Sequence, residues 1–129
     1  MFLAIDFQSD IPIYIQLKQQ IIAGIARGEL KEGEELPSVR QLAQDIGINL
    51  HTVNKAYNLL KDDGFILMDR RKGALIDSLE NMADEDFKFR LREEINPLIA
   101  QAFCKGMTEE ELLLEIGEIY RSYSQGVKR

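Results

Sequence analysis

The sequence predicts a mainly α-helical fold with one small β-hairpin, followed by a short helical tail. Two stretches, 38–46 and 49–63, each begin with a polar capping residue and then repeat apolar residues at helical spacing. Gly47 lies between them and suits a tight turn, because glycine tolerates a left-handed backbone. Apolar runs at 65–68 and 74–76 flank a charged segment and predict two paired strands. Helix, turn, helix and hairpin in this order describe a winged helix-turn-helix.

A further helix is predicted ahead of this motif. Pro12 suits the start of a helix, and Asp10 is its candidate capping residue. An apolar stripe follows at the spacing of one helix face and consists of Tyr14, Leu17, Ile21, Ile22 and Ile25. Four polar residues are expected to face outward, namely Gln16, Lys18, Gln19 and Gln20. Gly28 ends the helix, and the acidic segment 29–35 is expected to be a solvated loop.

The apolar run 2–5 near the N-terminus has two interpretations. It is either a small edge strand or an arm that packs on the first helix or on a second subunit. The segment has neither a basic region nor a long apolar core, so a secretory signal is not expected. No apolar run approaches the roughly 20 residues of a membrane span, so we expect a cytoplasmic protein without membrane contacts.

Capping residues and apolar spacing define both helices of the motif. Ser38 is expected to cap the first helix, and Gln41 three residues later completes a capping box. The buried face of this helix is expected to be Val39, Leu42, Ala43 and Ile46. Asn49 is the expected cap of the second helix. The buried face of the second helix is expected to be Val53, Ala56, Tyr57 and Leu60.

The opposite face of the second helix carries side chains that form hydrogen bonds, namely His51, Thr52, Asn54 and Lys55. A single helix fits the DNA major groove and can present such side chains to base edges. The tip of the hairpin carries Arg70, Arg71 and Lys72, which suit phosphates or the minor groove. A solvated polar face is the simpler interpretation of any one of these residues. It is a poor interpretation of the whole set in this order.

Several spaced motifs together resemble the winged-helix domain of the GntR family of bacterial repressors. They are LPSVRQLA at 36–43, TVNKAY at 52–57 and GFI at 64–66. PIYIQ at 12–16 and GEL at 28–30, ahead of Gly33, resemble the first helix and turn of the same family. The length and the helical tail resemble its YtrA-like subfamily. Two positions differ from the family pattern, because Leu50 stands where a polar base-reading residue is frequent and Arg71 replaces the first glycine of a Gly-x-Gly wing.

The resemblance implies a homodimeric, sequence-specific transcription regulator that represses by binding a palindromic operator in double-stranded DNA. YtrA-like members resemble regulators of transporter operons, which implies that class of target. Arg40 matches a family arginine that reaches a phosphate or a groove edge. The expected DNA-binding residues are Ser38, Arg40, Asn49, His51, Thr52, Asn54, Lys55, Arg70, Arg71, Lys72 and Gly73.

The charge of the chain leaves an alternative open. Residues 36–76 hold six basic and four acidic residues, a net charge of +2. Since the whole chain has a net charge of −6, the residues outside this range carry −8. A locally basic face on an acidic body is expected to bind non-specific DNA poorly and to depend on specific contacts. The acidic body also favours the alternative, a winged-helix module that binds proteins and not DNA.

The segment after the wing predicts a helical tail, which divides the chain into a winged unit at 1–78 and a tail at 79–129. Pro97 interrupts the first apolar repeat, so a kink or break near Asn96 is expected. Thr108 begins a capping box for the last helix. The tail is expected to form the dimer interface through Leu91, Ile95, Leu98, Leu112, Ile116, Ile119 and Tyr123. Packing of the tail on its own winged unit is the alternative.

The sequence predicts neither an enzyme nor a metal or cofactor site. His51 is the only histidine and Cys104 the only cysteine, which excludes a histidine metal cluster and an intrachain disulfide. The chain has no glycine-rich phosphate-binding motif. Cys104 is expected to be a buried structural thiol. No convergent set of polar residues marks a site for a small-molecule effector.

Overall fold

The computed structural model describes residues 3–79 and 83–124. Within these ranges the elements are α1 (Ile13–Ala26), α2 (Val39–Ile46), α3 (Leu50–Asp62), β1 (Ile66–Asp69), β2 (Gly73–Ile76), α4 (Glu85–Cys104) and α5 (Glu109–Ser124). The first three helices and the antiparallel hairpin form a winged helix-turn-helix, which confirms the predicted fold class. No helix in the described ranges is both long and apolar enough to cross a lipid bilayer.

Helix α1 forms where the apolar stripe predicts it. Three residues of the stripe are buried and two half-buried, in the order Leu17, Ile21, Ile25, then Tyr14 and Ile22. Pro12 occupies the N-cap position with a φ of −53° and forms no side-chain cap bond. The expectation that Asp10 caps α1 is therefore wrong, because the fixed φ of proline already suits a helix start.

The N-terminal arm, residues 3–6, lies against α1 without forming a strand. The side chain of Gln20 donates a hydrogen bond to the backbone oxygen of Ala4 and accepts one from its nitrogen, both at 2.8 Å. These bonds support the interpretation of this segment as an arm on the first helix and not as an edge strand. Phe2, which belongs to the same apolar run, lies outside the described residues.

Gln16 is buried, so the prediction that it faces solvent is wrong. Its Nε2 donates to the backbone oxygens of Asp6 at 3.0 Å and Ile11 at 2.8 Å, and its Oε1 accepts from the nitrogen of Asp6 at 2.9 Å. The arm and the turn that follows it thus cover the side chain and satisfy its polar atoms, which allows it to be buried.

The two helices of the motif are capped as predicted, with one difference. Ser38 Oγ accepts from the backbone nitrogen of Gln41 at 3.0 Å, and Asn49 Oδ1 accepts from a backbone nitrogen of the first turn of α3 at 2.7 Å. Gly47 joins the helices with a φ of 69°, the left-handed conformation that the turn requires. The Gln41 side chain does not return to Ser38 but donates to Asp45 Oδ1, one turn later, at 2.6 Å.

One hydrophobic core joins α1, α2, α3 and the hairpin. All four residues of the predicted buried face of α3 are buried, namely Val53, Ala56, Tyr57 and Leu60. In α2, Leu42 and Ala43 are buried, whereas Val39 and Ile46 are half-buried at the edge of the core. The core therefore fixes which face of α3 is left for solvent or a ligand.

The acidic segment between α1 and α2 differs from the solvated loop that the sequence predicts. Leu30 of this segment inserts into the core, as does Leu36, which directly follows it. The backbone also pairs with the hairpin, because Glu35 forms an antiparallel bridge with Leu75 and the nitrogen of Leu36 donates to the oxygen of Ala74 at 2.8 Å. The segment thus extends the hairpin by one short edge, which anchors the wing to the helical body.

Tyr57 joins α3 to the segment before α2, and we expect its hydroxyl to stabilise the fold. The hydroxyl donates to the backbone oxygen of Pro37 at 2.7 Å, and burial raises the pKa of Tyr57 well above its ordinary value. Tyr57→Phe is expected to lower the free energy of unfolding by about 1 kcal/mol, because the carbonyl loses its partner. Urea denaturation of the wild type and the variant at neutral pH measures this difference.

The same burial predicts a dependence on pH. Ionised tyrosine is disfavoured in the fold, so the stabilisation from Tyr57 is complete below about pH 10, the unfolded value, and decreases as the pH rises above it. Tyr57→Phe should therefore lose less stability than the wild type between neutral and alkaline pH. An equal loss in both proteins would contradict this role for Tyr57.

Helix α4 is unbroken and contains Pro97, so the helix does not break near Asn96, and a kink there remains a prediction. Proline removes the hydrogen bond to the carbonyl four residues earlier, here that of Glu93. Since α4 has no buried residue, water can solvate that carbonyl. Cys104 at the end of the helix is exposed, which also overturns the expectation of a buried thiol.

The tail helices expose their apolar side chains. Helix α5 follows the predicted capping box, in which Thr108 Oγ1 accepts from the nitrogen of Glu111 and donates to its Oε1, both at 3.1 Å. Neither α4 nor α5 has a buried residue. Large apolar side chains that are at least half exposed are Phe89, Leu98, Phe103, Leu113, Leu114, Ile116, Ile119 and Tyr120. The alternative in which the tail packs on its own winged unit is therefore not what the structure shows.

Candidate nucleic-acid interface

The outward face of α3 carries most of the side chains that the sequence predicts there. His51, Asn54 and Lys55 are exposed, and Thr52 is half-buried at the flank of the helix. Leu50, the first residue of α3, is 41% exposed, so an apolar side chain also faces outward at the start of the helix. The face is polar with one apolar residue at its N-terminal end, which can contact a thymine methyl group in the major groove.

Asn58 also belongs to this face, and none of the sequence motifs singles it out. It is exposed on α3, and it follows His51 by seven residues, so the two side chains lie on the same side of the helix. The periodicity that predicts the buried face also predicts this position. Its amide can both donate and accept hydrogen bonds, as Asn54 can.

Lys55 is exposed, but its side chain contacts an aromatic ring of α1. Its Nζ lies 3.9 Å from the centroid of the Tyr14 ring, at the boundary between α3 and α1. Tyr14 is only half-buried, so its ring contributes to the surface beside α3 as well as to the core. Sequence periodicity assigns Tyr14 to the apolar stripe alone and gives no indication of this contact.

Two further predicted residues, Ser38 and Asn49, are the N-terminal caps of α2 and α3 and are exposed. The oxygens of Ser38 and Asn49 accept the backbone hydrogen bonds of the caps, which leaves the hydroxyl proton of one and the amide protons of the other as donors. Arg40 is exposed in the first turn of α2. Within the described residues, no carboxylate lies within 4.0 Å of its guanidinium.

The wing ends in a loop of three basic residues, Arg70, Arg71 and Lys72, all of them exposed. Asp69 shapes the loop, because its Oδ1 accepts from the backbone nitrogens of Lys72 at 2.9 Å and Arg71 at 2.7 Å. These two hydrogen bonds lower the pKa of Asp69, so the carboxylate stays ionised at neutral pH. Gly73 closes the loop with a φ of 79°, which a residue with a Cβ rarely adopts.

In this loop the Asp69 carboxylate fixes the backbone, and the three basic side chains extend from it. Backbone groups hold its shape, and Asp69 is turned toward those backbone groups. The three basic side chains are thereby left without a carboxylate within 4.0 Å in the described part of the chain. Exposed cations without an ion-pair partner suit the phosphates of a nucleic acid.

Comparison with known proteins places the chain among regulators of transcription. A model of the bacterial regulatory proteins of the gntR family matches residues 13–76. Over 125 residues the chain is 36% identical to the HTH-type transcriptional repressor YtrA of Bacillus subtilis (strain 168), a match that covers 96% of each chain.

Solved structures share the fold. A transcriptional antiterminator from Listeria monocytogenes EGD-e matches with a TM-score of 0.86 at 28% identity, over 95% of this chain and 92% of that one. AraR(DBD), solved in complex with operator ORX1, matches with a TM-score of 0.52 at 26% identity, over 59% of this chain and 98% of that one.

Proposed function

Since this chain belongs to the gntR family of bacterial regulatory proteins, we propose that it represses transcription as a homodimer on a palindromic operator. Membership of this family makes the chain a DNA-binding transcriptional regulator and not an enzyme. The similarity to the repressor YtrA over nearly the whole chain supports repression. The likeness to AraR(DBD), which was solved with an operator, supports a direct DNA contact by the winged unit.

The observation that carries the proposal is the outward face of α3. His51, Asn54 and Lys55 are exposed there while the opposite face of the helix is sealed in the core. In the proposed complex α3 enters the major groove, and Asn54 reads a base because an asparagine amide pairs with adenine through two hydrogen bonds. His51 and the flanking Thr52 are the further candidates for base contacts.

The remaining predicted residues are proposed to hold the DNA backbone. Ser38 and Asn49 still have donor protons at the N-terminal ends of α2 and α3, where positive partial charge also attracts phosphates. Arg40 extends from the first turn of α2. The basic loop of the wing, with Gly73 at its base, contacts the phosphates or the minor groove beside the major-groove site.

Dimer formation by the tail is supported by the apolar surface that a single chain leaves open. The predicted interface residues in α4, Leu91, Ile95 and Leu98, are 45%, 39% and 65% exposed. In α5, Ile116 and Ile119 are 50% and 59% exposed, and Leu112 and Tyr123 are half-buried. A two-fold contact with a second copy covers both helices at once, and it places two winged units on half-sites about one helical turn, ~34 Å, apart.

A gel shift with the DNA upstream of the chain's own gene tests the proposal. We expect a discrete complex that a scrambled duplex of the same length competes poorly. The complex should weaken as salt is raised, because bound phosphates release counterions. Equal competition by the scrambled duplex, at every salt concentration, would exclude sequence-specific binding to that DNA.

Neutralising the wing should change the salt dependence of binding. In the variant Arg70→Gln/Arg71→Gln/Lys72→Gln, the slope of log K against log salt is expected to flatten by roughly 0.9 for each phosphate that the wing no longer binds. Lys31→Gln, a single exposed lysine in the segment between α1 and α2, is the control and should keep the wild-type slope. A triple variant with an unchanged slope would mean that the wing points away from the DNA.

A further inference from the structure

Tyr14 and Lys55 form an aromatic–cation contact between α1 and the outward face of α3. The ammonium of Lys55 lies 3.9 Å from the centroid of the Tyr14 ring, well within the distance at which the ring quadrupole attracts a cation. Lys55 is exposed and Tyr14 half-buried, so the pair lies at the surface and not inside the core. The contact therefore fixes a charge on the face of the protein that is proposed to meet DNA.

A second lysine at the boundary between α1 and α3 provides a comparison, because its charge is already paired with a carboxylate. Lys18 of α1 forms an ion pair with Asp63 at the end of α3, with 3.0 Å between its Nζ and a carboxylate oxygen. No carboxylate within the described ranges lies within 4.0 Å of Lys55. An aromatic ring orients a cation without neutralising it, so the charge of Lys55 remains available to an anion.

We propose that Tyr14 is a positioning residue for DNA binding: its ring holds the ammonium of Lys55 at the α1 side of α3, where the ammonium contacts a backbone phosphate and not a base edge. This inference rests on the proposed function. A free lysine side chain loses rotamer freedom when it binds, and a side chain already restrained by a ring loses less. The ring thus raises affinity without contributing to sequence preference.

The proposal separates two adjacent residues of α3. Lys55 is drawn toward α1 by Tyr14, whereas the exposed Asn54 has no side-chain hydrogen bond within the described residues. Asn54 is the candidate for base contacts, and Lys55 contributes charge. Replacing Lys55 should weaken binding to all sequences alike, and replacing Asn54 should change the preferred sequence.

A double-mutant cycle on the full chain tests the positioning role. Tyr14→Leu and Tyr14→Met keep an apolar side chain but remove the ring, whereas Tyr14→Phe keeps the ring. Each of these variants is measured alone and in combination with Lys55→Met, which is also measured alone. Loss of the ring should weaken binding to a selected duplex and to a random duplex by the same factor, about two- to fivefold. The same replacement should have no effect in the Lys55→Met background, and Tyr14→Phe should bind like the wild type.

A spectroscopic signature in the free protein accompanies the cycle. The ring current of Tyr14 should shift the side-chain methylene protons of Lys55 upfield, and the shift should persist in Tyr14→Phe and vanish in Tyr14→Leu. A purely structural role of Tyr14 predicts the opposite pattern of binding, namely equal losses with and without Lys55. Such additivity, or a Tyr14→Phe variant that binds DNA as weakly as Tyr14→Leu, would overturn the positioning role of Tyr14. The proposed function would still hold in that case, provided that the wild type binds DNA. A wild type that binds no DNA would overturn both.

Discussion

A chain that ends after Leu79 is expected to fold as a monomer and to bind the operator at least about a hundredfold more weakly than the full chain. Linking two binding units typically raises the affinity of the pair by a factor of about 10² to 10⁴ over one unit, and removal of the tail removes the link. The apolar side chains of α4 and α5 that a single chain leaves exposed supply the proposed link.

The shortened chain should keep the winged unit intact, because the buried apolar residues of the described structure all lie between Leu17 and Ile76. Leu79 is retained because it packs against this core. Loss of the tail should consequently change the mass of the particle and its operator affinity, but not the affinity of one unit for one half-site. Sedimentation and gel shift on the same sample measure both quantities.

Point changes in the full chain provide a matched comparison. Ile116→Glu/Ile119→Glu places two charges on the exposed apolar face of α5 and should reproduce the effect of truncation, since buried unpaired charges oppose association. Glu118→Gln on the same helix should leave the dimer unchanged. A truncated chain that stays dimeric, or a full chain that is monomeric at micromolar concentration, would exclude the tail as the dimer interface.

Arg40→Ala is expected to weaken operator binding by about 1.5–3 kcal/mol, because the guanidinium is proposed to form charge-assisted hydrogen bonds with a DNA phosphate. Arg40 follows Ser38, the cap of α2, by two residues. The backbone of Arg40 is therefore fixed in the first turn of the helix, and its side chain is exposed to solvent. An arginine in this state presents a planar set of donors that matches a guanine edge or a phosphate.

Titration of operator DNA by fluorescence anisotropy measures the effect of Arg40→Ala. The control is Arg27→Ala, which removes an exposed arginine that pairs with Glu29 at the end of α1, outside the proposed interface. The control should bind within about twofold of the wild type, since an exposed ion pair contributes little. Equal affinities of Arg40→Ala and the control would remove Arg40 from the interface.

Features set by neighbouring residues could be predicted from the sequence. The caps Ser38 and Asn49, the left-handed Gly47 and the buried face of α3 depend on contacts within about one helical turn, so spacing alone identifies them. The exposed polar face of α3 follows from its buried face, since the two are opposite sides of one helix. Asn58 could have been found by the same rule.

Features that depend on distant segments could not be predicted in this way. Gln16 is buried only because the arm returns over α1, and Leu36 is buried where the segment before α2 pairs with the hairpin. The ring of Tyr14 meets Lys55, forty-one residues later in the sequence, through the packing of α1 on α3. Helix α4 continues through Pro97 without a break, because the helix is exposed and water can solvate the carbonyl that loses its partner.

Selection from a random pool of duplex DNA tests the central claim most directly, because the operator sequence need not be known in advance. The full chain should enrich an inverted repeat whose half-sites lie about one helical turn, ~10 base pairs, apart. Asn54→Ala should enrich a different motif, because Asn54 is the proposed base reader. A wild-type pool that shows no enriched motif after repeated rounds would contradict sequence-specific binding by this winged unit.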